Sequence, residues 1–556
     1  MTRALPGLIA AAAAIVLAAP AHASKTQEAL FQDDALLVYP PRAEVGKTLD
    51  ILQGLGVDRV RVTVYWRLVA PDAASETKPS FSGGGPADPA AYPKANWRRY
   101  DDLVRLAYDR GIQVNFDVAG PAPDWASTGQ GGYANPSADD FGPFAAAVAA
   151  RYTGAYTPPP GEQNPPPPPP RNPNPLPPLP VPGFDGTSGQ QGQVSAQATE
   201  GTLPRVNYWS FFNEPNQRVF LMPQYVDRKE ASPRIYRALL DAGWNSLQGT
   251  GHGGDTVIIG DTAPKGGGER DDAANMRPLR FVRALYCVNS SLRPLGGATA
   301  RALGCPDSNQ ARDFPRQHPS LFGASGFAHH PYSLLTPPSL PSRNRDDVGM
   351  ADLGRLTSTL RRIFSRYGKK GALPIYNTEF GYQSRPPDPF GFAQPLQAAY
   401  INQAEFLSYV NPNVRSTDQF LLEDAPPYTQ FPSNSFQYWS SFQTGLLERG
   451  GGLKQAFGAY RVPLFIPGAR RFAPATLRVW GAVRPAPNGS AQTVQVQFRS
   501  SARGAKWRTR KTVKTRNARN YVDTRVRFTR SGTVRLRWRA PNGGVLYSRA
   551  AGVRIG

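Results

Sequence analysis

Two segments of the chain run aromatic and β-branched residues straight into a glutamate. One is Tyr208-Trp209-Ser210-Phe211-Phe212-Asn213-Glu214-Pro215-Asn216, and the other is Leu373-Pro374-Ile375-Tyr376-Asn377-Thr378-Glu379-Phe380-Gly381. Each carboxylate stands where a strand should stop, and Pro215 cannot donate to a ladder beyond Glu214. Two carboxyl groups that face one glycosidic bond can divide its cleavage between them. One gives a proton to the leaving oxygen, while the other stays ionised and attacks or stabilises the oxocarbenium-like centre.

Such a pair must be delivered from different strands to one open face, as happens at the C-terminal ends of the strands of a barrel. The chain has the pattern this requires. Short apolar runs at 36–39, 60–66, 112–118, 206–212, 256–260, 326–331, 373–378 and 417–422 alternate with segments of helical spacing. Eight units in series predict a (β/α)8 barrel, although an open doubly wound sheet gives a similar alternation. In the second run Val60, Val62 and Val64 alternate with Arg61, Thr63 and Tyr65. With the valines against the helices, Arg61 points into the barrel, where a buried cation needs an acid, and Glu379 is the natural one. Asn115 and Asp117 share a strand face and line the interior without a catalytic role. Glu423 and Asp424 read as solvated acids after the eighth run.

The Asn213-Glu214-Pro215 element in the fourth strand and the Thr378-Glu379 pair in the seventh resemble glycoside hydrolase clan A, the 4/7 superfamily. Within it the chain is most similar to family 39-like and family 5-like retaining glycosidases, over roughly 35–463. The resemblance implies Glu214 as general acid/base and Glu379 as nucleophile, with retention of configuration. It implies that Arg61 contacts the nucleophile and that Asn213 binds the sugar 2-hydroxyl. His330 and Tyr332, in His329-His330-Pro331-Tyr332, resemble the clan's His-x-Tyr element, whose tyrosine lies near the nucleophile. Trp125, in the loop after the third strand, is a candidate stacking surface for a sugar ring. One departure stands out: clan members often carry a tryptophan after strand eight, and none occurs at Leu421-Leu422-Glu423.

The rest of the chain bounds the setting. Arg3, the apolar run 8–17 and Ala21-His22-Ala23 have the layout of a secretory signal peptide over 1–23. No second apolar segment is long enough to span a bilayer, so no transmembrane segment is expected in the mature chain. Cys287 and Cys305 are then expected to pair, because the compartment is oxidising. Neither has metal-ligand spacing, and no Gly-rich phosphate loop follows a strand, so no metal and no cofactor are expected.

The barrel is expected over 24–464, interrupted by a proline-rich insertion at 157–183 that includes six consecutive prolines, 165–170. From 465 to 556 short alternating strands separated by Asn-Gly and Pro-Asn-Gly turns predict a small all-β, immunoglobulin- or fibronectin III-like sandwich. Charge is concentrated there. Arg470 to the end holds 21 lysines and arginines against the single acid Asp523, so +20 of the chain's net +23 sits in this segment. A one-sign field on an exported domain suggests an acidic cell-wall polymer as partner, with no specific nucleic acid. The sequence therefore reads as a secreted O-glycoside hydrolase, with wall association through the basic segment, acting on a poly- or oligosaccharide. A transglycosylase, or an inactive barrel in a wall- or polyanion-binding protein, is the alternative.

Overall fold

The computed structural model describes residues 24–129, 131–159, 201–267 and 274–556. The expected leader at 1–23 and the proline-rich insertion from 160 onward lie outside the described residues. Eight parallel strands close on themselves: β1 Glu28–Gln32, β2 Arg59–Tyr65, β3 Gln113–Ala119, β4 Tyr208–Phe211, β5 Thr256–Thr262, β6 Gly326–His329, β7 Ile375–Asn377 and β8 Val414–Phe420. Each pairs with the next in chain order, and β8 returns to β1 in the register Glu28↔Ser416 to Gln32↔Phe420. Helices fill the connections, so this part of the chain is a (β/α)8 barrel. No helix among the described residues is long and apolar enough to cross a membrane.

The strands form where expected because both faces of each are buried. Val60, Val62 and Val64 pack into the cluster shared with the outer helices, while Arg61 is fully buried on the inner face. The helices bury one stripe each. In Lys94–Asp109 the buried residues Trp97, Tyr100, Leu103, Val104 and Ala107 recur at helical spacing. Ala138–Arg151 starts at Ser137, whose hydroxyl accepts from the Asp140 amide. Cys287 and Cys305 form a disulfide.

The first strand is not where the apolar run predicted it. Residues 36–39 do not form a strand; β1 lies earlier, and Asp34–Leu37 is a short helix. The cause is Asp33, whose carboxylate accepts from the Leu36 amide and starts a helix. Its other oxygen accepts from the Leu422 amide, so the same side chain ties the end of β1 to the end of β8.

After the last barrel helix, Gln455–Arg461, the chain is all β. Strands β9 Leu464–Phe465, β11 Ala475–Ala482 and β14 Tyr521–Phe528 form one sheet. Strands β10 Arg470–Arg471, β12 Gln492–Ser500, β13 Arg508–Thr515, β15 Gly532–Arg539, β16 Val545–Tyr547 and β17 Ala551–Ile555 form the other. Leu477, Val479 and Val526 from the first share one core with Val494, Leu536 and Trp538 from the second.

The three-stranded sheet docks on the barrel. Trp480 and Tyr521 pack with Phe406 and Tyr409 of helix Gln394–Val410. Beside them the buried guanidinium of Arg484 pairs with buried Glu405 and donates to the Tyr460 carbonyl at 2.8 Å.

Candidate active site

Side chains on the eight strands, or directly after them, converge on one polar cluster inside the barrel mouth. Arg61, fully buried on β2, is its hub. One Nη donates to Gln32 at the end of β1 (2.6 Å), and the other to Asp117 on β3 and to Asn213 after β4 (3.0 Å each). Asp261 on β5 lies 3.5 Å from the same guanidinium and Glu379 after β7 lies 3.8 Å away. Glu379 was expected to be the main partner of Arg61. It is instead the most distant of the carboxylates around it, because Asp117 and Asp261 sit deeper in the barrel and neutralise the arginine first.

Glu214 and Glu379 approach each other across the mouth. One oxygen of each, together with a ring nitrogen of His330, lies within 4.8 Å of the others. The carboxyl groups of retaining glycosidases stand about 5–5.5 Å apart, against about 6.5–9.5 Å in inverting enzymes, which need room for a water. Nδ1 of His330 is 2.9 Å from Glu214 and 3.6 Å from Glu379, and Nε2 is 3.5 Å from Asp261. Tyr332 donates its hydroxyl to the other oxygen of Glu379 at 2.8 Å. Thr378 donates to Asp261 at 2.7 Å, which links the ends of β5 and β7.

Charge in this pocket is set by competition. Burial alone would lower the His330 imidazole. The charge of Glu379, the nearby carboxylate of Asp261 at 3.5 Å and the hydrogen bond with Glu214 outweigh it and raise His330 to about 10. These neighbours favour the imidazolium form of His330, and Glu214, His330 and Glu379 together form a cluster of ligand-type side chains. Burial pushes the carboxyl of Glu379 above the usual carboxylate range. The cations of His330 and Arg61 and the Tyr332 hydroxyl oppose this rise, and the charge of Glu214 adds to it. Asp261 is held down at about 2. Burial would raise it, but Arg61, His330 and Thr378 overcome that.

His329, next in the chain, is a different residue physically. It lies between the Thr262 hydroxyl (2.8 Å) and the Val348 carbonyl (2.9 Å), and burial lowers it to about 4. It is a neutral core histidine whose Nε2 must be the donor to the carbonyl.

The backbone contributes as well. Phe212, Glu214 and Asp261 adopt φ values of 59°, 40° and 37°, and the Glu214 amide donates to the Asp261 carbonyl at 2.9 Å. Left-handed conformation at a non-glycine residue costs about 1–3 kcal/mol and concentrates at functional sites. Gly260, with φ 108°, precedes Asp261. A Cβ there would come within 2.6 Å of the Phe327 ring, so only glycine lets β5 make this turn.

Other sequence expectations are placed differently. Trp125 packs edge-on against Trp66 and Phe81 and donates to the Pro71 carbonyl at 3.2 Å; no contact among the described residues links it to either glutamate. Asp424 is not a solvated acid. It is buried against the equally buried Lys454, with Nζ at 2.5 Å, because the loop after β8 folds back over it. Asp261 and Gln32 were missed altogether, and so was Asp418 on β8, whose carboxylate accepts from the Phe380 amide beside Glu379 (3.3 Å). For Gln32 and Asp261 the signal is a polar residue at the end of an apolar strand, as in Val257-Ile258-Ile259-Gly260-Asp261; Asp418 lies inside a largely polar strand and gives no such signal. Phe442 was also missed. It comes from far along the loop after β8 and lies 5.9 Å from Tyr332 and 4.9 Å from Phe420, ring to ring.

No family model matches the chain, and no curated protein matches it. Solved structures align only distantly. A family 1 β-glucosidase from Thermotoga maritima shares 14% identity over 74% of this chain and 84% of its own, with a TM-score of 0.38. A β-glucosidase from Thermotoga maritima in complex with castanospermine shares 12% over 79% and 97%, with a TM-score of 0.42. A superoxide reductase (neelaredoxin) from Ignicoccus hospitalis shares 16% over 17% of this chain and 80% of its own, with a TM-score of 0.15. At these scores the likenesses carry no argument, and the barrel assignment rests on the strand pairing itself.

Proposed function

We propose that this chain is a secreted retaining glycoside hydrolase of the clan A type, acting on a poly- or oligosaccharide. Glu379 is the nucleophile and Glu214 the general acid/base. The observation that carries this reading is the approach of the two carboxylates, with oxygens within 4.8 Å across the mouth of one closed barrel. That spacing leaves no room for a water between them and an anomeric carbon, so the second carboxylate attacks directly.

The steps follow from the neighbours. Glu379 attacks the anomeric carbon while Tyr332 donates to its second oxygen and holds the attacking one in line. Glu214 protonates the departing oxygen and afterwards takes a proton from the water that releases the glycosyl-enzyme. Asn213, fixed by Arg61, is left to meet the sugar 2-hydroxyl. The leader 1–23 supports export, and the disulfide is compatible with it. Two C-terminal sheets with one shared core support the reading of this part as an immunoglobulin- or fibronectin III-like sandwich.

A panel of aryl glycosides, with the product anomer followed by NMR, tests the reading. Retention of configuration is expected, and an inverted first product would refute the double displacement. Glu379→Ala should abolish turnover. Glu214→Ala should cut it by roughly 10²–10⁴-fold and least for the best leaving groups, because only leaving-group protonation is lost. Near-normal rates in either variant would remove the mechanism.

A further inference from the structure

The outer face of the six-stranded sheet collects cations without acids. Strand alternation puts Arg535, Arg537 and Arg539 of β15 on that face, while Val534, Leu536 and Trp538 point into the sandwich core. At about 3.4 Å per residue the three guanidinium stems stand about 7 Å apart in one row. Arg499, at the end of neighbouring β12, extends the patch. Arg499, Lys514 and Arg539 are exposed. The face turns away from the barrel, because the three-stranded sheet makes the aromatic contact with it.

Within this sandwich the only acid is Asp523, and it is engaged on the other sheet by Arg478 at 2.6 Å. Among the described residues no carboxylate pairs with Arg499, Arg535, Arg537 or Arg539. Neutral groups and rings hold them instead. Arg535 donates to Gln497 (2.9 Å) and Arg537 to Gln495 (3.2 Å). The guanidinium of Arg535 lies 4.3 Å from the ring centre of Trp507 and 4.0 Å from that of Tyr547, and that of Arg499 lies 4.8 Å from Trp507. At the end of the row is a cavity of about 310 Å³ lined by Arg499, Ser500, Ser501, Gly532 and Thr533.

We infer that this face binds a linear polysaccharide that carries carboxylates along its length. The row of cations matches a repeating anion, and the amides and hydroxyls between them match sugar hydroxyls. The rings do not favour a nucleic acid. A base needs an open aromatic face on which to stack, and here Trp507 carries two guanidinium groups and Tyr547 one. The rings act as stiff supports that keep arginines spread and pre-oriented. This inference is independent of the reaction proposed for the barrel.

The test uses the full-length protein and three probes: polygalacturonate, a neutral glucan of similar length, and duplex DNA. Calorimetry or affinity electrophoresis should show binding to polygalacturonate that weakens with salt, and weaker or no binding to the other two. The triple variant Arg499→Gln/Arg537→Gln/Arg539→Gln should lose about tenfold in affinity, the sum of three exposed charge contacts. Its melting temperature and its turnover of a soluble aryl glycoside should stay unchanged. Arg470→Gln/Arg516→Gln/Arg527→Gln, which lies outside the row and removes the same three charges, should lose much less. Equal binding of the neutral glucan, tighter binding of DNA, or equal losses in both variants would overturn the inference.

Discussion

At the residue scale, His330 decides how the pocket is charged. It is the cation nearest to both glutamates, and it stays protonated through neutral pH because carboxylates on two sides hold it up to about 10. Glu379 has to be ionised to attack, yet burial raises its pKa. The acid limb of the rate profile should therefore lie above the range of a free glutamate, about 4.3. The sign of the His330 effect follows. A neighbouring cation favours the ionised form of Glu379, so His330→Gln should move the acid limb to higher pH. A profile of kcat/KM against pH in both proteins checks this; an unmoved limb would mean that His330 only fills space. Glu214 and Glu379 stood out as acids at strand ends, and Asn213, His330 and Tyr332 were singled out through the resemblance to clan A; the five lie together in one mouth. Asp261 did not stand out, since a lone acid after an apolar run looks like any strand end until β6 and β7 bring His330 and Thr378 to it.

At the element scale, six of the eight strands stand where apolar runs lay, within a few residues, because both faces of each are buried. The eighth, β8, overlaps its run but is shifted toward the N-terminus. The first strand was misplaced because Leu36 and Leu37 satisfy an apolar count, whereas Asp33 converts them into a helix. The loop after β8 was equally hidden. It is anchored by the buried Asp424–Lys454 pair, whose members lie 30 positions apart in sequence. Asp424→Asn leaves the ammonium of Lys454 buried and unpaired, a loss of about 3–5 kcal/mol. Urea unfolding should show that loss, and the double variant Asp424→Asn/Lys454→Met should recover most of it. If the single variant is as stable as the parent, the pair does not anchor the loop. The same loop carries Phe442 to the side of Tyr332, so loosening it should also raise KM.

At the scale of the whole molecule, the sequence separated barrel from sandwich by composition, but it could not show how firmly they are joined. The junction is a buried aromatic cluster with an internal ion pair, Arg484 to Glu405. Removing 465–556 uncovers Phe406 and Tyr409 and takes the cation away from Glu405. The truncated barrel should therefore melt well below the full chain. Arg484→Met alone should cost about 3–5 kcal/mol, the loss that follows removal of one partner of a buried pair. Thermal denaturation decides both, and a truncated chain that melts with the full-length protein would show that the junction is only a tether.

Arg519 illustrates where that junction leads. Late in the sandwich, it pairs with Glu28 on the first barrel strand and with Asp58 just before the second. The edge where the first two barrel strands meet is thus fastened by a side chain 461 and 491 positions further along the chain. Without Arg519, Glu28 keeps only Arg59 beside it, and Asp58 keeps no cation within ion-pair distance among the described residues. The opening strands of the cylinder therefore reach their full set of counter-charges only once the appended sheets have docked, which couples the closing of one to the arrival of the other.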